Sequence, residues 1–263
     1  MNADSTDSAQ RYCRQTNFSG LGPDGQAALA RARALVVGVG GLGSWSAELL
    51  ARAGVGFLRL LDGDRVDWTN LHRQAMYDES DVNRPKAEAA AEFLRRVNGE
   101  IRIEPVVERL DAGNIDRLAG DVDVILDQTD NFPARFLLND YAVREHKPWV
   151  FAGVVRAEGQ TMTIVPGRTA CLRCVYDAPP PSELAETAAT AGVLGPAVAA
   201  IAALSAMEAL KLLAGRAADI RTDLLKLDLW TGRTQRIDAS RPADDCPCCR
   251  KGRFEFLNAP GVA

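Results

Sequence analysis

Only two histidines occur in this 263-residue chain, His72 and His146. Neither stands in a triad pattern, so imidazole-centred nucleophilic catalysis has little to work with and both read as structural. An excess of one charge sign is also lacking: 31 Lys and Arg face 35 Asp and Glu, a net charge of −4. That balance gives no general attraction to nucleic acid or to an anionic membrane, although a local basic pocket remains open. No internal repeat is visible. Residues Met1 to Gln10 are polar, carry no apolar leader core and read as a disordered tail, so a cytoplasmic protein is expected. The longest apolar stretch, Val193 to Leu213, is mostly alanine and contains Glu208 and Lys211. A buried helix suits it better than a membrane span.

Cysteine is sparse but paired. Of six, four form Cys171-x-x-Cys174 and Cys246-x-x-Cys249; Cys13 and Cys248 are left over and read as structural and as a bystander. Without an oxidising compartment, such pairs suggest metal before disulfide, and each pair can offer two thiolates to one tetrahedral ion. The pairs lie much further apart than in a compact zinc ribbon, so free thiols stay open on spacing alone.

Strand and helix signals alternate through the first half. Strands are expected at 34–39, 56–61, 101–107, 122–127, 149–152 and 160–165, with helices at 44–53, 86–97 and 136–145. Residues 11–33 read as mixed, with a turn at 20–25. The region from Pro179 to about Gly195 reads as an exposed loop, a helix starts at Pro196 and stops at Gly215, and a hairpin flanks Thr231 and Gly232. The pattern predicts an α/β fold: a Rossmann-like, mostly parallel sheet with helices on both faces, followed by a part with antiparallel strands. One domain is expected over 11–263, with a nucleotide-binding half at 34–165, a second part at 166–263 and a mobile loop at about 178–195.

The motif Gly38-Val-Gly40-Gly41-Leu-Gly43 follows a strand and opens a helix, the context in which such glycines cradle phosphate at a helix N-terminus. Asp62, ending the second strand, is placed to hold ribose hydroxyls. Arg73 and Lys86 follow in Asn70-Leu-His-Arg73-Gln74 and Pro85-Lys86. Taken singly, these are solvated surface charges. Taken with the glycine loop, they suit cleavage of a triphosphate, because a guanidinium fork and a compact ammonium stabilise a leaving pyrophosphate. Asp127 and Asp130 flank the end of a central strand, where a carboxylate can hold Mg²⁺ beside phosphates.

These segments, with Arg11-Tyr-Cys-Arg14-Gln15, Leu61-Asp62-Gly-Asp64, Asp127-Gln-Thr-Asp130-Asn131, Ala191-Gly-Val-Leu-Gly-Pro196 and the two cysteine pairs, make the chain resemble ThiF/MoeB-type adenylyltransferases of the ubiquitin-activating-enzyme superfamily over roughly residues 11 to 250. The resemblance implies adenylation, with ATP and Mg²⁺, of the C-terminal glycine carboxylate of a ubiquitin-like sulfur-carrier protein. The product would serve later thiocarboxylate formation in thiamine, molybdopterin or related biosynthesis. It implies that Gly38, Gly40, Gly41, Gly43, Asp62, Asp64, Asn70, Gln74 and Asn131 bind nucleotide. Arg73 and Lys86 would grip the triphosphate and Asp130 would bind Mg²⁺. Arg14 would reach the neighbouring subunit's site in a homodimer. Cys171, Cys174, Cys246 and Cys249 would hold structural zinc. The partner would be a small carrier ending in Gly-Gly, with sulfur from a separate donor protein. Relatives commonly carry a loop cysteine where this chain has Ala188, so a covalent carrier step through that loop is not implied. Three other readings share part of the pattern: a nicotinamide-dependent oxidoreductase, a tRNA- or peptide-modifying sibling, and a non-catalytic nucleotide-binding scaffold.

Overall fold

The computed structural model describes residues 10–179 and 186–258. Five strands run parallel: β1 (Arg33–Val37), β2 (Phe57–Leu61), β3 (Arg102–Val106), β4 (Val124–Asp127) and β5 (Trp149–Val155). Three more continue the sheet antiparallel: β6 (Glu158–Ile164), β7 (Asp223–Asp228) and β8 (Arg233–Asp238). The order across the sheet is β3-β2-β1-β4-β5-β6-β7-β8. Chain order reverses between β1 and β4, so a crevice opens beyond their C-terminal ends, where open α/β sheets take ligands.

Residues of the central strands are buried on both faces, which is why they read as apolar runs instead of alternating ones. Leu35, Val37, Phe57 and Leu61 enter one core with helix α4 (Phe132–Arg144). Ala34, Val36, Leu58 and Leu60 enter the opposite core with α1 (Gly22–Arg31), α2 (Gly41–Ala53), α3 (Lys86–Val97) and α5 (Gly195–Leu213). The α/β class, the two helical layers and the antiparallel extension therefore stand as expected. By length and composition α5 could cross a membrane, yet it packs along α2 and against β5 and β6. Its Glu208 is buried in ion pairs with Lys211 and Arg221.

Some boundaries differ for physical reasons. Of the turn expected at 20–25, Gly20 and Leu21 are turn, and the remainder is the start of α1, because Pro23 is tolerated in a helix's first turn. Gly25 lies inside it, buried, with Leu21 so close that a Cβ would meet its Cδ1 at 2.7 Å. Helix α2 begins at Gly41, inside the glycine motif. Helix α4 begins four residues early because Asn131 caps it, accepting from the Ala134 amide at 2.9 Å. The stretch read as loop up to Gly195 holds one helical turn, Ala188–Ala191, closed by a Thr187–Thr190 capping box. The expected tail lies, apart from Gln10, outside the described residues, as do 180–185 of the expected mobile loop.

Candidate active site

Two glycines of the phosphate-loop motif are dictated by geometry. Gly38 has φ +83°, a left-handed conformation that side chains resist. A Cβ on Gly43 would sit 1.9 Å from the Gly38 carbonyl oxygen, so only glycine lets the first turn of α2 fold back on the loop. Gly41 faces the guanidinium of Arg73, whose Nε would be 3.8 Å from a Cβ there. Tyr77, not singled out from sequence, ties the loop to α3 by donating to the carbonyls of Val39 at 2.8 Å and Lys86 at 3.2 Å.

A cavity of about 1410 Å³ covers this loop and runs on past β5 and β6 to Ala188. Gly38, Gly40, Gly41, Asp62, Asp64, Asn70, Arg73, Gln74, Lys86, Asp130 and Asn131 all line it. The fold thus gathers the anticipated residues from five separate sequence segments. Gly43 stands behind the loop as a packing residue, and Arg14 lies elsewhere, exposed on the N-terminal helical turn.

Within the cavity, Asp62 accepts from the amides of Val39 at 2.9 Å and Asp64 at 2.8 Å. Burial raises its pKa, with Lys86 and the two amides opposing. Lys86 is 7% exposed; it opens α3, its amide donates to Asp64 O at 2.9 Å, and its Nζ lies 3.4 Å from the Asp64 carboxylate. Asp64 also meets Arg109 at 3.0 Å, a cation that no sequence signal marked. Arg73 is held by Thr69 O at 2.7 Å and His72 Nε2 at 2.8 Å, so His72 orients this arginine. Partial burial lowers the Arg73 pKa, and the Asp130 carboxylate opposes that shift. The cavity therefore brings three cations, Arg73, Lys86 and Arg109, and the exposed Asp130 carboxylate to the mouth of a phosphate loop.

Gln74 is 3% exposed, and its Oε1 has no partner among the described residues. An orphaned buried acceptor beside Gly40 is what a bound donor such as an adenine amine would satisfy. Two anticipated nucleotide ligands have local structural duties as well. Asn70 closes a capping box with Asp67, and Asn131 caps α4.

The four paired cysteines converge. Their sulfurs all lie within 4.8 Å of one another, with Cys171–Cys246 at 3.6 Å and Cys174–Cys249 at 3.5 Å. Tetrahedral zinc with Zn–S near 2.3 Å requires sulfurs about 3.8 Å apart, so the donor set fits. The Ala243 amide and the Asn139 side chain donate to sulfurs of the cluster, as thiolate ligands require. Cys248 stays outside it, buried, accepting from Asn139 at 3.3 Å.

A phosphate-cradling α/β sheet with clustered cations and a four-sulfur cluster defines a nucleotide-using enzyme with a metal-capable second part. Comparison with known proteins carries this further. Residues 12–248 match the ThiF family, and the chain belongs to it. It is 42% identical to the sulfur carrier protein ThiS adenylyltransferase of Bacillus subtilis, over 94% of this chain and 74% of that one. It is 38% identical to the SAMP-activating enzyme E1 of Haloferax volcanii, over 94% and 91% of the two chains. Among solved structures, Escherichia coli MccB with MccA-N7isoAsn superposes with a TM-score of 0.80 at 23% identity, over 92% of this chain and 75% of that one, a likeness of fold. The chain is thus an adenylyltransferase, and the oxidoreductase reading of its glycine motif falls away.

Proposed function

We propose that this enzyme uses ATP to adenylate the C-terminal glycine carboxylate of a small ubiquitin-like sulfur carrier. The observation that carries the reading is one continuous cavity. It joins the glycine loop, Asp62, Arg73, Lys86 and Asp130 to a passage along Gly153, Gln160 and Ala188. A tail ending in Gly-Gly suits that passage because it has no side chains. The names of the Bacillus and Haloferax relatives support the substrate class.

The triphosphate lies over the loop from Gly38 to Gly43, whose amides and helix end favour anionic oxygens. Asp62 takes the ribose hydroxyls, and Gln74 Oε1 stands ready for a donor. A carboxylate oxygen of the tail attacks the α-phosphate, and the bond to the bridging oxygen breaks. Pyrophosphate leaves, giving an acyl-adenylate. The nucleophile is already an anion, so positioning dominates and no general base is needed. Arg73 and Lys86 stabilise the charge growing on the departing oxygens. Mg²⁺ at Asp130 would supply further charge screening of the phosphates. Asp130 is the suitable donor because it is exposed to the cavity, whereas the Asp127 carboxylate is fully buried.

Zinc on Cys171, Cys174, Cys246 and Cys249 would cross-link the two ends of the C-terminal part. Arg14 acts in the site of a second copy, which explains an exposed arginine on an ordered N-terminal turn. No cysteine lines the cavity among the described residues, and none occurs in the remaining ones. Sulfur therefore reaches the adenylate from a separate donor, in thiamine, molybdopterin or related thiocarboxylate biosynthesis. Such chemistry, fed by ATP, belongs in the cytoplasm.

The test is ATP–pyrophosphate exchange with Mg²⁺ and a panel of carriers ending in Gly-Gly. Exchange with one carrier, lost when its last glycine is removed, is expected. Tight ATP binding without exchange for any carrier overturns the reading. Mixing Arg14→Ala and Lys86→Ala proteins should restore activity to about one quarter of wild type if the arginine acts across a two-fold dimer.

A further inference from the structure

Asp130 carries an exposed carboxylate that no hydrogen bond or ion pair holds among the described residues. Its position is therefore set by the backbone on either side of it. That backbone is pinned by a buried charge pair. Asp127, the last residue of β4, is 0% exposed, and its Oδ1 accepts from both the amide of Thr129 at 3.0 Å and its hydroxyl at 2.7 Å. Arg135, one turn into α4 and 6% exposed, donates from Nη2 to the Thr129 carbonyl at 2.7 Å. Thr129 is thus gripped on three groups from two sides. On the far side of Asp130, Asn131 caps α4.

The charge pair is not arranged for its own stability. Arg135 Nε lies 3.9 Å from Asp127 Oδ2, too far for a hydrogen bond, and both atoms lack partners. Burying two charges with imperfect mutual contact is costly, and an apolar pair would fill the space more cheaply. The guanidinium plane is fixed by Phe132, with its centroid at 4.9 Å, and Phe151, at 5.2 Å. Gly153 leaves the room it needs, since a Cβ there would come within 3.2 Å of Nη2. The shared target of both charges is Thr129, the residue before Asp130.

We propose that Asp127 and Arg135 are positioning residues, a buried clamp that acts through Thr129 to aim the Asp130 carboxylate at the phosphate-bound cation. The clamp rests on the adenylation reading for the role of Asp130. Through it, a buried arginine outside the phosphate-gripping set holds the metal ligand at the distance from Arg73 and the glycine loop that the reaction needs.

The test compares wild type with Thr129→Val, Thr129→Ser and Arg135→Lys in the full chain. ATP affinity is measured by calorimetry with Mg²⁺ and with EDTA, beside the Mg²⁺ dependence of pyrophosphate exchange. Mg²⁺ should tighten ATP binding in wild type. In Thr129→Val that gain should fall at least about tenfold, the scale of one lost charge-assisted hydrogen bond, while affinity in EDTA changes by less than about twofold. The Mg²⁺ concentration for half-maximal exchange should rise in step, Arg135→Lys should behave likewise, and Thr129→Ser should restore wild-type values. An unchanged Mg²⁺ gain in Thr129→Val overturns the clamp, as does an equal loss of affinity with and without Mg²⁺, the mark of general disorder. A wild type that exchanges with no carrier, while Thr129→Val still loses the Mg²⁺ gain, overturns the carrier reading and leaves the clamp standing.

Discussion

The parallel half of the sheet and its antiparallel extension share one apolar core, which reaches Ile164 and Leu224, but only the extension leads into a four-sulfur cluster. Strands β1, β2 and β4 are buried on both faces, and the site residues stand at their C-terminal ends or in the segments that follow. In the extension, β8 is exposed along almost its whole length, and the chain beyond it is gathered by the four-sulfur cluster. Apolar burial positions a reactive site to fractions of an ångström because close-packed cores do not deform gradually. A cross-link positions only what it touches. The difference implies that the phosphate end of the site and the stability contributed by the cluster separate along the sheet.

The sharpest way to break that separation is to strike the site itself. Lys86→Ala should lower pyrophosphate exchange at least about 100-fold, and Asp130→Ala should do the same, with unfolding temperatures close to wild type. Retained exchange in either variant would remove that residue from the mechanism. Next come two glycines of one motif. Gly43→Ala forces its Cβ into the Gly38 carbonyl and should abolish ATP binding, whereas Gly40→Ala meets only Gln74 Nε2 at 3.5 Å within the protein and should weaken binding less. Equal effects would mean that the loop reshapes freely.

The extension is tested by removing its cross-link. Adding a chelator to zinc-loaded protein, or Cys246→Ser, should lower the unfolding temperature by about 10 °C or more, with protection from proteolysis lost first after β6. An unchanged temperature would show that the thiols bind nothing of consequence. The smallest effect concerns Asp127, whose carboxyl is pushed from its ordinary 3.8 to about 6, first by burial and against the pull of Arg135. Below pH 3.8 both folded and unfolded forms hold this proton. As pH rises towards 6 only the folded form keeps it, so stability from this group is lost over that window, by roughly 2–3 kcal/mol. Denaturant titrations of Asp127→Asn should lack this fall; an identical pH profile would contradict it.

What could be read from sequence divides along similar lines. Gly38 and Gly43 were legible because their constraint is local: a left-handed turn and a helix start leave no choice of residue. The cysteine pairs were legible because thiols are rare, though the contact across 75 residues between Cys171 and Cys246 came only with the fold. Arg135 was not legible, since an arginine in Phe132-Pro-Ala-Arg135-Phe looks like any helix residue until β4 places Asp127 opposite it. Its one hint was a charge inside an otherwise apolar run. Tyr77 and Arg109 were hidden for the same reason, as each reaches a partner that is remote in sequence. Asn70 and Asn131 stood out through the family pattern, and the structure adds that both also cap helices. Helix α1 was obscured by Gly22-Pro-Asp-Gly25, a turn signature that here opens a helix.

The wide spacing of the sulfur cluster also orders events at the ribosome. Cys171 and Cys174 leave the exit tunnel with β1 to β6 already synthesised, well before Cys246 and Cys249 appear. During that interval the phosphate loop, Asp62, Lys86 and Asp130 can come together on a growing chain that has no means of closing the cluster. Chains generally fold domain by domain as they emerge, at about 5–20 residues per second, so several seconds separate the two stages. Loading of a metal on these sulfurs would then be a late, nearly terminal step of biosynthesis, and a stalled or truncated nascent chain would expose two unpaired thiols beside an otherwise formed sheet.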